Sequence, residues 1–389
     1  MEYKIPLMRN PFSAEASTRD ALASFILKTD RLSMGPQCKQ FEDEFAKWQG
    51  ARYAVLFNSG GSANLAMLQA LKNSYQLSDC DNVGYSALTW ATNVMPIIQL
   101  GMNPVPVDCY HDTLNISPQT LLERIRGTRL DALFITNALG FAAELQRIRE
   151  ICYVHGILLI EDNCESLGTV LHSGRTGNFG AMSSFSFYVA HQMSTIEGGM
   201  VVTDDDDLAD MLRMVRANGW DRDLSPASQQ WLRGGISEFD AKYTFYCLGY
   251  NLRPTEITGA LGLEQLKHID ATIAKRQENY LRLEKVALAN PDLFCVQHDH
   301  IQTLSSFAFP VICKDRETRD RYLQRFDEAG IETRRMIGGS LQDQPFYRKS
   351  GERRYDLPGT EEIDACGFYC GNYPELTDDD LAVIERCLK

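Results

Sequence analysis

The sequence predicts an α/β fold in which a mostly parallel sheet is flanked by helices and followed by a smaller C-terminal α+β domain. Short apolar runs alternate with segments whose apolar residues recur at helical spacing, and this alternation is typical of parallel sheets. A long segment of helical pattern over 254–290 predicts a linking helix. We therefore expect a large domain with an N-terminal arm over 1–255, and the linking helix with a small domain over 256–389.

The individual elements follow from the same patterns. Apolar runs bounded by turn residues predict strands. These runs are 51–57, 104–108, 130–136, 156–162, 183–188 and 199–205. Helical spacing predicts helices over 62–74, 117–127 and 142–156, and another from about 206. The polar stretch WDRDLSPASQQWLRGGISEFD (220–240) has no clear period, which favours a surface loop or lid.

Composition restricts the class of partner and the compartment. The formal net charge is −13, which argues against a nucleic acid partner. No apolar run reaches the roughly 20 residues that span a bilayer, and the N-terminus has no signal-peptide pattern. The 11 cysteines contain no CxxC pair, so we expect reduced thiols, a cytoplasmic protein and no metal site.

Two motifs at predicted strand ends are suited to bind a phosphorylated, planar ligand. In LFNSGGSANLAML (56–68) a strand runs into Gly60, Gly61 and Ser62, where a helix begins and its N–H groups can receive an anion. In YSALTW (85–90), Trp90 offers a flat ring for stacking. Taken singly, each motif also fits an ordinary turn or a core residue.

A third strand end adds acidic groups. Asp162 closes the apolar run of LLIEDNCES (158–166), and Glu165 follows three residues later. Ligands of parallel sheets bind at this edge, and a carboxylate there can pair with a protonated ring nitrogen. Together with the phosphate turn and the aromatic ring, Asp162 indicates a pyridoxal phosphate site. The alternative for this residue alone is an N-cap or loop charge.

Most pyridoxal phosphate enzymes hold the cofactor covalently through a lysine, and this chain has no lysine from 73 to 241. After the fifth predicted strand, SFYVAHQMSTIEGG (186–199) places His191 where that lysine is expected. A histidine can move protons but forms no stable covalent link to the cofactor. We interpret Glu197 and the two glycines after it only as a turn.

The chain resembles a known family, the nucleotide-sugar aminotransferases and dehydratases of the fold-type I pyridoxal phosphate enzymes. The resemblance is to its dehydratase branch, most of all the 3-dehydratases of GDP-4-keto-6-deoxymannose, in which histidine replaces the lysine. It implies an aspartate-aminotransferase-like fold and covers nearly the whole chain. The motifs that carry it are NSGGSANL, ALTW, IEDNCESLGT, SFYVAHQMSTIEGGMVVTDD, RANGWDRD, LGYNLRPTEITGALGLEQL and IETRRMIGGSL.

The resemblance implies a role for each site residue. It implies His191 as the catalytic base, Trp90 as the stacking ring and Asp162 as the partner of the pyridine nitrogen. The other implied cofactor contacts are at the phosphate group and at the 3-hydroxyl. Those at the phosphate are Gly60, Gly61, Ser62 and Ser186, and Glu165 is the contact at the 3-hydroxyl. Asn251 is implied to reach the phosphate bound in a neighbouring subunit. Gly61 departs from the relatives, which carry serine or threonine there.

The resemblance also implies the reaction. Pyridoxal phosphate and its amine, pyridoxamine phosphate, would be bound without a covalent link, and L-glutamate would supply the amino group. The C3 hydroxyl of a nucleotide-linked 4-keto-6-deoxyhexose would leave, ammonia would be released, and the product would be a 4-keto-3,6-dideoxysugar. The enzyme would act as a homodimer with shared active sites.

Three alternatives remain open at this stage. A CDP-sugar type of dehydratase uses a cysteine-bound [2Fe–2S] cluster and a reductase partner, but 219–246 contains no cysteine. A nucleotide-sugar aminotransferase would require the missing lysine. A non-catalytic sensor that binds pyridoxal phosphate would usually carry a DNA-binding domain, and no basic recognition helix is evident.

Overall fold

The computed structural model describes residues 3–389. The strands, in chain order, are β1 (Tyr53–Phe57), β2 (Asn82–Ser86), β3 (Asn103–Val107), β4 (Ala132–Thr136), β5 (Leu158–Asp162), β6 (Val170–Leu171), β7 (Gly174–Arg175), β8 (Ser183–Ser186), β9 (Gly199–Thr203), β10 (Leu293–Phe294), β11 (Ile301–Thr303), β12 (Ala308–Cys313), β13 (Thr333–Arg335) and β14 (Gly367–Gly371). The helices are α1 (Glu15–Lys28), α2 (Pro36–Gln49), α3 (Gly60–Asn73), α4 (Ala91–Gln99), α5 (Pro118–Gly127), α6 (Leu145–His155), α7 (Asp206–Arg216), α8 (Pro226–Leu232), α9 (Glu238–Ala241), α10 (Glu256–Leu266), α11 (Ile269–Ala287), α12 (Arg316–Glu328), α13 (Pro345–Ser350), α14 (Pro358–Cys366) and α15 (Asp378–Leu388).

The large sheet has the strand order β1-β9-β8-β5-β4-β2-β3. Its strands run parallel except β9, which is antiparallel to both neighbours, β1 and β8. The predicted mostly parallel sheet flanked by helices is therefore confirmed, and each of the six predicted strands is present. The sequence reading missed β2, because its NVGYS segment carries a polar residue and a glycine and forms no continuous apolar run.

Side chains on alternate faces of the large sheet explain its helical layers. In β1, Val55 and Phe57 belong to a buried cluster that includes Met67 of α3. The intervening residue Leu56 belongs to a second cluster, on the opposite face, that includes Phe41 of α2. A strand with apolar residues on both faces must be covered on both sides, which places the sheet between helices.

The parallel strands all end at one edge of the sheet. Phe57 of β1 and Ser186 of β8 both pair with Gly199, the first residue of antiparallel β9. A side chain at Gly199 would place its Cβ 2.2 Å from the backbone oxygen of Ser59, so this position has room only for glycine. The close approach brings the turn before α3 next to the end of β8, where His191 follows.

The C-terminal part of the chain forms a separate antiparallel sheet in the order β10-β12-β14-β13. The predicted single linking helix over 254–290 is wrong in one respect, because α10 and α11 are two helices separated at 267–268. α10 packs closely on α2, where a Cβ at Gly259 would lie 2.4 Å from the backbone nitrogen of Cys38. α11 packs instead on α15, so the two helices follow different neighbours. The division at residue 255 stays a prediction.

The predicted surface loop at 220–240 is partly helical. It contains α8 and α9, each capped by a serine side chain, Ser225 and Ser237. Large apolar side chains on this segment are exposed, with Trp231 at 82% and Phe239 at 76%. No helix within residues 3–389 combines the length and the apolar character that crossing a membrane would require.

Candidate active site

A cavity of about 430 Å³ opens at the carboxyl edge of the large sheet. It brings together most of the residues predicted for the site. Those that line it are Gly60, Gly61, Trp90, Asp162, Glu165, Ser186 and His191. The remaining lining residues are Ser59, Thr92, Asn93, Thr136, Cys164, Tyr188, Ala190, Glu197, Phe307, Arg334, Ile337 and Tyr369.

The turn before α3 forms one wall of the cavity. Ser59 is the N-cap, and its hydroxyl oxygen accepts a hydrogen bond from the Ser62 N–H at 3.1 Å. A Cβ at Gly60 would lie 2.6 Å from Ser186 Cβ, so the helix N-terminus and the end of β8 meet only because Gly60 has no side chain. The first N–H groups of a helix have no partner within the helix, and an anion bound here would receive them together with the Ser186 hydroxyl.

Asp162 forms the floor of the cavity and is 4% exposed. One carboxylate oxygen, Oδ2, accepts hydrogen bonds from Asn64 Nδ2 at 2.9 Å and from Asn93 Nδ2 at 2.7 Å. The other, Oδ1, accepts the backbone N–H of Cys164 at 2.8 Å. Three donors fix the orientation of the carboxylate, so the cavity presents a buried, immobile acidic group.

Trp90 and Asn93, at the start of α4, supply the cavity with an aromatic ring and an unpaired acceptor. Trp90 is 58% exposed, an unusual exposure for a ring this large next to a cavity. The side-chain oxygen of Asn93 is buried and has no hydrogen-bond partner among the described residues. Both features leave interactions unfilled at a place where a planar, polar ligand would supply them.

Glu165 lies beside Asp162 and is held by one hydrogen bond, in which the Leu139 N–H donates to Oε2 at 2.8 Å. Burial raises the pKa of Glu165 to about 7, the Leu139 N–H lowers it, and the negative charge of Asp162 raises it further. A carboxyl group with this pKa can give or take a proton near neutral pH.

We expect Glu165→Gln to stabilise the cofactor-free protein at pH 8 by about 3 kcal/mol. The fold favours the neutral acid, so ionisation of Glu165 costs stability as the pH rises from the ordinary 4.5 through the folded value of about 7. The gain should therefore shrink towards pH 5. Urea unfolding between pH 5 and 8 measures it, with Glu197→Gln, an exposed change in the same cavity, as the control. A gain independent of pH would contradict the raised pKa.

His191 follows β8 and points its ring into the cavity. Its Nδ1 donates to the backbone oxygen of Cys164 at 2.5 Å, so the other ring nitrogen, Nε2, is the acceptor of the neutral ring. The Phe307 ring lies 5.1 Å away, centroid to centroid. Burial lowers the pKa of His191 to about 4, while the Cys164 carbonyl and Asp162 oppose that shift. The ring is therefore a neutral proton acceptor at physiological pH.

Two predicted cofactor contacts lie outside the cavity lining. Ser62 is one turn into α3, where its N–H and hydroxyl both contact the Ser59 hydroxyl. Asn251 is exposed, and its side-chain oxygen accepts from Arg253 Nε at 3.1 Å. The roles of both residues, like those of the other predicted contacts, stay predictions.

Sequence reasoning missed two groups of site residues. Asn64 and Asn93 each hold Asp162. For Asn64 the available signal was a polar side chain among the apolar residues of the predicted helix over 62–74, whereas no helix was predicted around Asn93. The second group comes from the C-terminal part of the chain. Two of its members lie in the IETRRMIGGSL motif, and the other two have no local pattern that marks them as part of a distant cavity. The group consists of Phe307, Arg334, Ile337 and Tyr369. Glu197, interpreted as part of a turn, also lines the cavity.

The cavity fits the cofactor that the resemblance implies. A helix N-terminus with a space kept open by Gly60 and a serine hydroxyl suits a phosphate group. The fixed carboxylate of Asp162 suits a protonated ring nitrogen, and Trp90 suits a stacked ring. Residues 73–241 contain no lysine that could hold the group covalently, and His191, in the turn after β8, stands where that lysine is expected.

The chain matches a known protein family over almost its whole length. The family model described as the DegT/DnrJ/EryC1/StrS aminotransferase family matches residues 14–389. GDP-4-keto-6-deoxy-D-mannose 3-dehydratase of Yersinia pseudotuberculosis is 33% identical over 372 residues, which cover 94% of this chain and 93% of that protein. The sequence-based resemblance is therefore confirmed.

Solved structures agree with this result. GDP-4-keto-6-deoxy-D-mannose-3-dehydratase of E. coli with bound hydrated PLP matches with a TM-score of 0.92 and 30% identity, covering 100% of both chains. A GDP-4-keto-6-deoxymannose-3-dehydratase with a trapped PLP–glutamate adduct matches with a TM-score of 0.91 and 30% identity, covering 99% of this chain and 100% of that one. The predicted aspartate-aminotransferase-like fold is confirmed.

Proposed function

Because the chain belongs to the DegT/DnrJ/EryC1/StrS aminotransferase family, we propose that it removes the C3 hydroxyl of a nucleotide-linked 4-keto-6-deoxyhexose. Pyridoxal phosphate and its amine serve as the cofactor, and L-glutamate is the amino donor. The product is a 4-keto-3,6-dideoxysugar, and ammonia is released. One observation carries the proposal: His191, with Nε2 free to accept a proton, follows β8 in a segment without lysine.

The cofactor supplies the electron sink that allows a C–H bond to break and a hydroxyl to leave. The residues that would hold it are Gly60, Gly61 and Ser186 at the phosphate, Trp90 at the ring and Asp162 at the ring nitrogen. Glu165 adds a group whose pKa of about 7 suits a hydrogen bond to the 3-hydroxyl in either protonation state. Each of these contacts orients the group without a covalent link.

His191 performs the proton transfer. The Cys164 carbonyl fixes Nδ1 as the donor, which leaves Nε2 to take a proton from the C4′ carbon of the cofactor. Burial keeps the ring neutral, so no prior deprotonation is needed. The same nitrogen, once protonated, is suited to give its proton to the departing C3 hydroxyl. Residues 73–241 contain no lysine that could bind the cofactor again, so the nitrogen taken from glutamate is released as ammonia.

The test is a panel of GDP-, dTDP-, CDP- and UDP-linked 4-keto-6-deoxysugars, each incubated with the protein, the cofactor and L-glutamate. We expect a product that is one oxygen atom lighter than the substrate, with one ammonia and one 2-oxoglutarate for each product. Starting with the GDP sugar follows the 33% identical relative. A product that retains the nitrogen would instead indicate a sugar aminotransferase. A requirement for bound iron and a reductase would indicate the cluster-dependent dehydratase.

We also propose that the active protein is a homodimer in which Asn251 contacts the phosphate bound in the neighbouring subunit. Asn251 is exposed and absent from the lining of its own cavity. Nearby apolar side chains are exposed as well, including Leu248 at 74% and Tyr243 at 69%. A partner that covers this segment would bury them and bring Asn251 to a second site.

Mixed dimers test this arrangement. Asn251→Ala and His191→Asn chains, each inactive alone, should regain activity when they are unfolded together and refolded as a mixture. In the mixed dimer one site combines the intact His191 of one chain with the intact Asn251 of the other. If Asn251 served its own chain, both sites would be defective and the mixture would stay inactive. Light scattering on the same sample gives the oligomeric state.

A further inference from the structure

Arg276 of α11 is a buried cation that makes no ion pair within residues 3–389. It is 1% exposed, burial lowers its pKa to about 10, and the negative charge of Glu375 opposes that shift without forming an ion pair. Removing a guanidinium from water costs several kcal/mol unless its charge is compensated. Its Nε has no hydrogen-bond partner in the described residues. The guanidinium is instead compensated by main-chain oxygens beside the active site.

The guanidinium binds main-chain oxygens on both sides of the active site. Nη1 donates to the Phe307 oxygen at 2.8 Å and to the Ser306 oxygen at 3.4 Å, and it also contacts the Asn372 oxygen. Nη2 donates to the main-chain oxygen of His191 at 3.4 Å. Arg276 thus joins the turn that carries the catalytic histidine to the C-terminal part of the chain.

Two of these carbonyls belong to residues whose side chains also meet. The rings of His191 and Phe307 are 5.1 Å apart and both line the cavity, whereas Arg276 does not line it. One guanidinium, located outside the cavity, therefore binds the main chain of both His191 and Phe307. The residue after His191 is also anchored to main-chain oxygens, because Gln192 Nε2 donates to the main-chain oxygens of Glu165 and Ser305.

We propose that Arg276 is a positioning residue, which fixes the main chain of His191 and Phe307 and so aims the imidazole into the cavity. The proposal rests on the proposed function, in which His191 is the base. A geometric role of this kind is costly to lose, since a misplacement of about 1 Å can lower a rate by about 10²-fold. The residue contacts neither cofactor nor substrate in this arrangement.

The charge of Arg276 acts on the imidazole in the direction that the reaction requires. Burial is the main reason that the pKa of His191 is low, and the guanidinium lowers it further, whereas the nearby Asp162 opposes the shift. The other ionisable groups around this ring are Cys164, Glu165, Tyr188, Glu197, Arg334 and Tyr369. Positioning and charge thus favour the same neutral, correctly placed base.

Arg276→Gln and Arg276→Lys test the role, with Arg282→Gln as the matched control. Arg282 lies on the same helix, is more exposed, and pairs with Asp378 and Glu385. We expect Arg276→Gln to lower kcat by about 30-fold. The KM for glutamate and for the sugar should stay within about twofold because Arg276 does not line the cavity. Arg276→Lys should recover part of the loss, and Arg282→Gln should leave kcat unchanged.

A second measurement does not depend on activity. In the full-length protein the Nδ1 proton of His191 bonds to the Cys164 carbonyl, so its NMR resonance should exchange slowly with solvent. The resonance is assigned by its absence in His191→Asn, and it should exchange faster in Arg276→Gln. An unchanged resonance together with kcat within twofold of wild type would overturn the proposal. If the glutamine variant does not fold, the same two readings on Arg276→Lys decide.

The two proposals fail separately. Should the wild-type protein release no ammonia and form no deoxygenated sugar, the proposed function fails. The exchange rate of the His191 proton would still report whether Arg276 positions that ring.

Discussion

Replacing His191 with asparagine should lower the rate of C3 deoxygenation by about 10³-fold, within the range that a general base contributes. Asparagine keeps a donor for the Cys164 carbonyl but has no basic nitrogen to take the place of Nε2. Cofactor affinity should change little, because the phosphate turn, Asp162 and Trp90 remain. Single-turnover kinetics with the amine form of the cofactor and the sugar substrate measure the step directly. Retention of a tenth of the wild-type rate would rule out His191 as the base.

His191→Lys is the informative companion variant. A lysine at this position should hold the aldehyde cofactor covalently, which a change in its visible absorbance reports. Ammonia release should fall, because the lysine competes for the cofactor. A lysine variant that deoxygenates at full rate without that change in absorbance would contradict the role assigned to His191.

The sheet and its carboxyl edge could be predicted because the information is local. Each strand carries its own apolar run, and strands joined by helices must end at a common edge, so His191, Asp162 and Gly60 were expected near one another. The motifs also limit the chemistry, since a segment without lysine leaves no covalent anchor for the cofactor. None of these inferences requires knowledge of how the small domain packs.

What the sequence does not reveal depends on contacts between distant residues. Phe307, just before β12, and Tyr369, within β14, reach the cavity from the C-terminal part of the chain, and nothing in their local sequence distinguishes them from ordinary core residues. Arg276 lies in an amphipathic helix, where an arginine is usually solvent-exposed, and only the fold shows it buried among carbonyls. The break between α10 and α11 likewise follows from their different packing partners rather than from a helix-breaking residue.

Replacing Asp162 should also cause a large loss of activity. Its ionised carboxylate is the only acidic group of the cavity that three N–H donors hold in place, and its role would be to keep the cofactor's ring nitrogen protonated. Two opposite charges about 4 Å apart interact by about 4 kcal/mol at an effective dielectric constant near 20, which is equivalent to about 10³-fold in rate. Loss of this charge should therefore weaken the electron sink itself.

Asp162→Asn should accordingly lower both half-reactions, the transfer from glutamate and the sugar deoxygenation, by about 10³-fold. Asparagine also turns an N–H group towards Asn64, Asn93 or the Cys164 N–H, so one donor loses its acceptor and stability should fall by about 2 kcal/mol. Asp131→Asn, the same change at the opposite edge of the sheet, is the control, since Asp131 receives the Asn82 N–H far from the cavity. Stopped-flow absorbance follows each half-reaction, and thermal unfolding gives the stability. A variant that lost stability but kept both rates would show that Asp162 only holds the floor of the cavity together. Equal loss in both half-reactions, with the fold intact, is the result expected of a residue that acts on the cofactor rather than on either substrate.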